Sequence, residues 1–527
     1  MHRFARSLLP LLLWLSGIAA PAQPGPGGGA ELPGRFAGEG IVVGLEYAVL
    51  DNLRMVQAMA ATFSETGMPG MKHYAEAVEW GAMQKGPNLP IDFTRLDWFV
   101  REYQRCGFTD LTVALRPHSS WASKQTALFK VANPTPKPEF RAAFESWIAA
   151  VVERYDGDGT ADLPGLRWPV RWYEIGSEFS SYQPEPVEQY LDTLELAYRS
   201  AHRAYAEVRI GHAAFLVTPV RFDVRDPAEY DRAWAGTDHP DKHHGLADLR
   251  AVLDHPERFD FVNLHNLGSP YEIEHLMRWV AFETGKRKYS KPVVVSDTVP
   301  TSYIGWGPGT VATGKRLGKV VAPATEADRP RLAAFFTRLV QQEKATLAWT
   351  RGFVAADQVQ RTVVAAEQGV RLINLSFTMD LPLLTGPLFQ AGAGIGAWGG
   401  ALRMELLTGR VAERYPLFHA IRQLMGHLNG YESIERLALP EPRARVYLVR
   451  RAGRVFWIAW LDPGQALLPE DGRPALEVAL PAAAARVTVE SAITGMGQDR
   501  PERSTVASRG GAVPLTLTFV PVYVFPE

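Results

Sequence analysis

A single cysteine, Cys106, occurs in 527 residues, so no disulfide can form within the chain and a large apolar core must carry the fold. Cys106 itself reads as a small hydrophobe on an apolar helix face shared with Trp98, Phe99 and Tyr103. No basic stripe or polybasic tail is present, and the formal net charge is −1, which removes the electrostatic footprint of a nucleic-acid partner. No apolar run is long enough to span a bilayer. No glycine-rich phosphate turn follows an early strand, as a dinucleotide-binding sheet would require. His239, His243, His244 and His255 fall in one connection, but their spacing matches no zinc pattern. Neither a metal nor an organic cofactor is expected. No internal repeat is evident.

The N-terminus reads as a secretion signal. His2, Arg3 and Arg6 form a basic flank, residues 7–20 are apolar, and Ala20-Pro21-Ala22 is a small-x-small cleavage site. Cleavage would leave a chain that begins near Gln23, is exported to the periplasm or beyond, and has no stable membrane insertion; an uncleaved anchor is the alternative. Residues 23–37 are rich in Pro and Gly and read as a flexible leader.

From residue 38 onward, short apolar runs alternate with amphipathic stretches, the pattern of parallel α/β units. Strands are expected at 41–47, 71–78, 111–115, 170–176, 209–214, 259–265, 292–296 and 370–377, with helices at 53–64, 93–106, 138–155, 186–208 and 414–429. These units make an α/β fold, a (β/α)8 TIM barrel over 38–429 with long insertions. An open doubly wound sheet is the structural alternative. Beyond 430 the runs at 446–449, 455–460, 476–480, 487–490, 515–519 and 522–525 are short and β-rich, which points to an all-β sandwich over 430–527.

The fourth strand ends Trp-Tyr-Glu-Ile-Gly-Ser-Glu at 172–178. A strand of a parallel barrel that stops on an acid presents that acid at the end where chemistry sits, so Glu178 is the first candidate. Glu174 shares its face by the period of two. The seventh strand ends in the same way, Lys-Pro-Val-Val-Val-Ser-Asp at 291–297, and Asp297 is the second candidate; a turn or helix cap is the plainer role for it. His265 and Asn266 close the sixth strand, Glu46 the first, and Arg116 the third, where Arg116 could instead pair with Glu46 or Glu174. Trp80, Trp121, Trp306 and Trp398 fall in or near loops at the open end, where indoles serve as sugar platforms or as core. Tryptophan is abundant, at 14.

With these residues placed, the chain resembles the clan A glycoside hydrolases, retaining (β/α)8 enzymes. It is most similar to the β-xylosidase-like and endoglycosidase-like members that carry a C-terminal β-sandwich. The resemblance rests on residues 80–84, 91–97, 117–121, 173–178, 261–265, 291–297 and 520–524, in that order. It implies that Glu178 is the acid/base and that Asp297 stands at the nucleophile position, with a polysaccharide or oligosaccharide as substrate. The departures cluster around one subsite. Ser177 stands where the family has Asn before the acid, and Asp297 where it has Glu. The alignment puts Ala75 where an Arg usually holds the nucleophile. Asn266-Leu267 follows the histidine where a Tyr is usual.

Retaining enzymes hold their carboxyls about 5–5.5 Å apart and inverting ones about 6.5–9.5 Å. Losing a methylene withdraws the carboxylate by roughly 1.5 Å, toward the inverting range. Three outcomes follow: an advanced backbone with Asp297 as nucleophile, a water in the gap and inversion, or a barrel that binds glycan without cutting it, within an envelope or exopolysaccharide system.

Overall fold

The computed structural model describes residues 40–46, 51–73, 76–124, 133–179, 183–216, 226, 229–235, 244–304, 320–375, 377–380 and 394–527. The expected signal, the leader, Ala75, Trp306, His239 and His243 lie outside them. No helix among the described residues is long and apolar enough to cross a membrane.

Eight parallel strands form one sheet: β1 (Val42–Leu45), β2 (Gly70–His73), β3 (Asp110–Leu115), β4 (Trp172–Glu178), β5 (Arg209–Leu216), β6 (Val262–Asn266), β7 (Val293–Thr298) and β8 (Leu372–Leu375). The hydrogen-bonded order is β1-β8-β7-β6-β5-β4-β3-β2. The two ends meet at β1 and β2 without a ladder. Gly44 and Gly70 face each other there so closely that a Cβ on Gly44 would lie 2.9 Å from the Gly70 carbonyl carbon, which is why both positions are glycine.

Helices alternate with the strands and cover the sheet: α1 (Leu53–Ser64), α2 (Thr94–Arg105), α3 (Arg141–Glu153), α4 (Val187–Ala204), α5 (Leu246–Leu253), α6 (Glu272–Lys286), α7 (Lys344–Glu367) and α8 (Pro416–Leu428). The starts follow local chemistry. The Asn52 side chain accepts from the backbone N–H of Arg54 and Met55 and caps α1, and Pro416 opens α8. On α2 the residues Leu96, Phe99, Val100 and Tyr103 are buried at helical spacing. Cys106 caps that helix half-buried as a free thiol.

Two strands, β9 (Leu402–Glu405) and β10 (Arg410–Arg414), form a hairpin after the barrel. The C-terminal region then holds β11 (Ser433–Leu437), β12 (Ala444–Arg451), β13 (Arg454–Leu461), β14 (Leu476–Pro481), β15 (Arg486–Ser491), β16 (Arg503–Ala507), β17 (Ala512–Leu517) and β18 (Val522–Pro526). They form a six-stranded sheet, β11-β12-β13-β18-β15-β16, and a two-stranded one, β14-β17. Alternation along the strands gives the large sheet two faces. Val446, Ala459, Leu461, Val487 and Val524 pack with Leu480, Val513 and Leu515 of the small sheet. Tyr447, Val449, Ile458, Trp460 and Tyr523 belong instead to the core of the barrel helices.

Candidate active site

Period-two alternation builds the barrel interior in layers. At the bottom Val42, Trp172, Phe261, Val294 and Leu372 form an apolar floor. Two residues further along those strands stand Gly44, Glu174, Asn263, Ser296 and Asn374, a polar middle layer. The Glu174 carboxylate accepts from the Asn263 amide at 3.1 Å and from Ser296 Oγ at 3.2 Å. Lys72, from β2, reaches into this layer. Its Nζ lies 2.9 Å from Glu174 and 3.4 Å from Glu46, and donates to the Ser296 carbonyl at 3.0 Å. Above it come Glu46, Glu178, His265 and Asp297.

Both strand-ending acids follow an irregularity. On β4 the pairing with β5 steps from Ile175–His212 to Glu178–Ala214, so the partner strand advances by fewer residues. On β7 Leu264–Val295 is followed by His265–Asp297, which leaves Ser296 as an extra residue. A bulge re-aims the side chain that follows it. Here it lets Ser296 and Asp297, adjacent in sequence, both face the barrel axis. Gly176 makes the β4 step possible with φ +100°, a value that L side chains rarely adopt.

One carboxylate oxygen of Glu178, one of Asp297 and a ring nitrogen of His265 lie within 4.8 Å of one another. His265 Nδ1 is 3.0 Å from Glu178 Oε1, the contact of a hydrogen-bonded pair rather than of two ligands on a common cation. His265 Nε2 and Asp297 Oδ1 are buried with no hydrogen-bond partner among the described residues. Burial pushes the Asp297 pKa above the usual aspartate value, although His265 and Lys72 pull it down. Burial, and then the charge of Asp297, push Glu46 well above the usual glutamate range, against the pull of Lys72. Burial would lower the pKa of Lys72, but the carboxylates of Glu174, Glu46 and Asp297 more than offset it and the group is held above the ordinary lysine value.

The structure thus brings Glu46, Glu178, His265 and Asp297 together, with Ser177 buried inside the β4 irregularity. Other expected pocket residues lie elsewhere. The Asn266 amide donates to Glu272 at 2.6 Å and to the Ser269 carbonyl at 3.3 Å, and its oxygen accepts from Arg361, so it faces a buried polar cluster beside α7 instead of the mouth. Trp80 is fully buried and packs against Trp121, Phe144 and Trp147. The Trp121 indole donates to the Gln84 carbonyl at 2.8 Å and packs on Phe140. Trp398 is 1 % exposed. Trp80 and Trp398 are core, and Trp121 is partly buried against the same core. Arg116 pairs with Glu79 at 2.9 Å, not with Glu46 or Glu174. His244 offers no ligand atom, because its ring nitrogens contact Asp248 at 2.8 Å and the Gln183 carbonyl at 2.6 Å.

Lys72 is the functional residue that the sequence reading missed. It stands on the second strand, where the resemblance led one to expect an arginine, and contacts Glu174, Glu46 and the Ser296 carbonyl. Its signal was a lone charge in the short run Gly-Met-Lys-His, where a parallel barrel leaves no solvent for it.

No family model matches the chain, and no curated protein matches it in sequence. Solved structures do match. A family 39 glycoside hydrolase from the gut symbiont Bacteroides cellulosilyticus WH2 superposes with TM-score 0.55 at 13% identity, over 92% of this chain and 81% of that one. The fold is that of the clan A glycoside hydrolases. A monomeric β-xylosidase from Caulobacter crescentus CB15 gives TM-score 0.54 at 15% identity, over 92% and 96%. The GH39 enzyme from Xanthomonas axonopodis pv. citri gives 0.53 at 13%, over 95% and 96%. Barrel and sandwich are therefore shared along almost the whole chain.

Proposed function

We propose that the protein is a glycoside hydrolase that retains anomeric configuration, with Glu178 as acid/base and Asp297 as nucleophile. The observation that carries this reading is the approach of their carboxylate oxygens to within 4.8 Å of each other. So close an approach fits the roughly 5–5.5 Å carboxyl spacing of retaining enzymes. The bulge at Ser296 advances the backbone and offsets the missing methylene of Asp297. Glu178, held at Oε1 by His265, presents its other oxygen to the glycosidic oxygen. It protonates the leaving group while Asp297 Oδ1 attacks the anomeric carbon. The ionised Glu178 then takes a proton from water, which releases the sugar from Asp297. The fold relatives act on xylosides among other sugars, which supports an oligosaccharide or polysaccharide substrate. Residues 1–22 support export as the route to it.

The test is hydrolysis of an aryl-glycoside panel and of polymeric substrates. Glu178→Gln is expected to lose about a hundred- to ten-thousandfold on poor leaving groups and less on good ones. Asp297→Gly is expected to be inactive and to yield a glycosyl azide when azide is added to a substrate with a good leaving group. The first product should keep the anomeric configuration of the substrate. The acid limb of kcat/KM should lie above the ordinary aspartate value of about 3.9, because burial raises Asp297 and the nucleophile must be ionised. Inverted product would make Asp297 a base. Binding without turnover by the wild type on the whole panel would leave a glycan-binding barrel.

A further inference from the structure

Beside the two acids lies a third carboxyl that the reaction does not consume. Glu46, at the end of β1, is 4 % exposed and hydrogen-bonded to Asp297. Two carboxyls can bond in this way only if one carries a proton. The groups that face Glu46 are Asp297 from β7, Lys72 from β2 at 3.4 Å and Glu174 from β4; Glu178 and His265 lie beyond Asp297. Glu174 has the fuller set of donors, namely the Lys72 ammonium, the Asn263 amide and Ser296 Oγ. Asp297 is approached by Lys72 and His265. Among the described residues Glu46 has only the longer contact with Lys72, and a nucleophilic Asp297 must stay ionised, so Glu46 is the place where a shared proton costs least. Three carboxylates around one ammonium would otherwise leave two uncompensated charges in a buried site.

Resting on the reading of Asp297 as nucleophile, we propose that Glu46 is a positioning residue that stays protonated through the cycle and donates a hydrogen bond to Asp297. A bond to one oxygen of the Asp297 carboxylate leaves the other oxygen for the sugar. A neutral donor orients the nucleophile without removing the negative charge that attack requires, which a second ammonium at this position would damp.

The test compares Glu46→Gln and Glu46→Leu on the best aryl glycoside. Gln keeps a neutral donor, so kcat is expected within tenfold of wild type, with the acid limb of kcat/KM unmoved. Leu removes the donor, so kcat is expected to fall at least a hundredfold with KM little changed, and the acid limb to rise as Asp297 becomes easier to protonate. A fall of the acid limb by about one pH unit or more in Glu46→Gln would show that a negative charge had been removed, and would overturn the proposal. If the Leu variant does not fold, infrared pH-difference spectra decide. The wild type should show a protonated-carboxyl carbonyl band at neutral pH that Glu46→Gln lacks, and identical spectra would overturn the proposal without reference to activity. A wild type inactive on every glycoside would defeat the proposed function instead, and the infrared result would still stand.

Discussion

At the scale of single residues, the site is governed by one ammonium among several acids. Lys72 holds Glu174 at 2.9 Å inside the barrel and touches Glu46. Its removal leaves buried carboxylates without a counter-charge, a loss worth about 3–5 kcal/mol where one partner of a buried pair is deleted. Lys72→Met is therefore expected to unfold at markedly lower temperature than wild type at neutral pH. The gap should depend on pH with a defined sign. The raised pKa of Lys72 keeps its own contribution intact throughout the neutral and acid range. The orphaned carboxyls of the variant can take up protons, so the gap should close below about pH 4 and widen as pH rises through the carboxylate range. Melting curves from pH 4 to 8 check this, and a gap constant across that range would contradict it. Lys72 was illegible in advance because a lysine in a four-residue strand looks like a surface residue until the strand is known to be closed into a cylinder. Glu178 and Asp297 were legible because each ends a long apolar run.

Secondary-structure elements explain how those two acids meet. The β-strands were read within a few residues of where they lie; β4 and β7 were expected to end at 176 and 296, but run to Glu178 and Thr298. Those extensions are the irregular parts, and alternation of apolar residues cannot reveal a bulge because it assumes a constant period. The hairpin β9–β10, β11 and β16 were missed for a related reason: the first three carry arginine and glutamate, β16 is mostly small and polar, and all present little apolar face. The β4 irregularity depends on Gly176. A Cβ there would lie 2.9 Å from that of Ala213 and would collide with the Gln183 amide, on a backbone with positive φ. Gly176→Ala is expected to cost at least about 1–3 kcal/mol through the backbone alone. Displacing Glu178 by even about 1 Å would lower kcat about a hundredfold. A variant with a lower melting temperature but unchanged kcat would show that the acid does not depend on this turn.

On the scale of the whole molecule, α7 and the C-terminal sheet work as one buttress behind β6 and β7. Arg361 is fully buried on α7, paired with Asp357 and bonded to Asn266 and to the Gly268 carbonyl. From the same helix Gln360 donates to the Phe519 carbonyl at 2.7 Å, and Phe353 stacks on Phe519 with ring centroids 4.8 Å apart. Nearby, the Trp460 indole donates to Tyr271 Oη at 2.9 Å, and Arg445 lies over the Tyr271 ring and pairs with Glu274. Removing residues 430–527 would uncover this apolar and charged face at once. The shortened protein is expected to aggregate rather than to fold as an isolated barrel, which size-exclusion chromatography would show; a monodisperse, cooperatively melting fragment would refute it. The seam between β1 and β2 adds a last consequence. Among the described residues no backbone ladder joins these strands, yet Glu46 follows one and Lys72 stands on the other, so side-chain charge does there what amide bonding does around the rest of the ring. A fluctuation that parts this seam must also dismantle the support of Asp297, the carboxylate proposed to attack. Amide exchange along β1 and β2 and thermal inactivation should then share one temperature dependence, and the edge where the cylinder opens most readily is also the edge on which turnover relies.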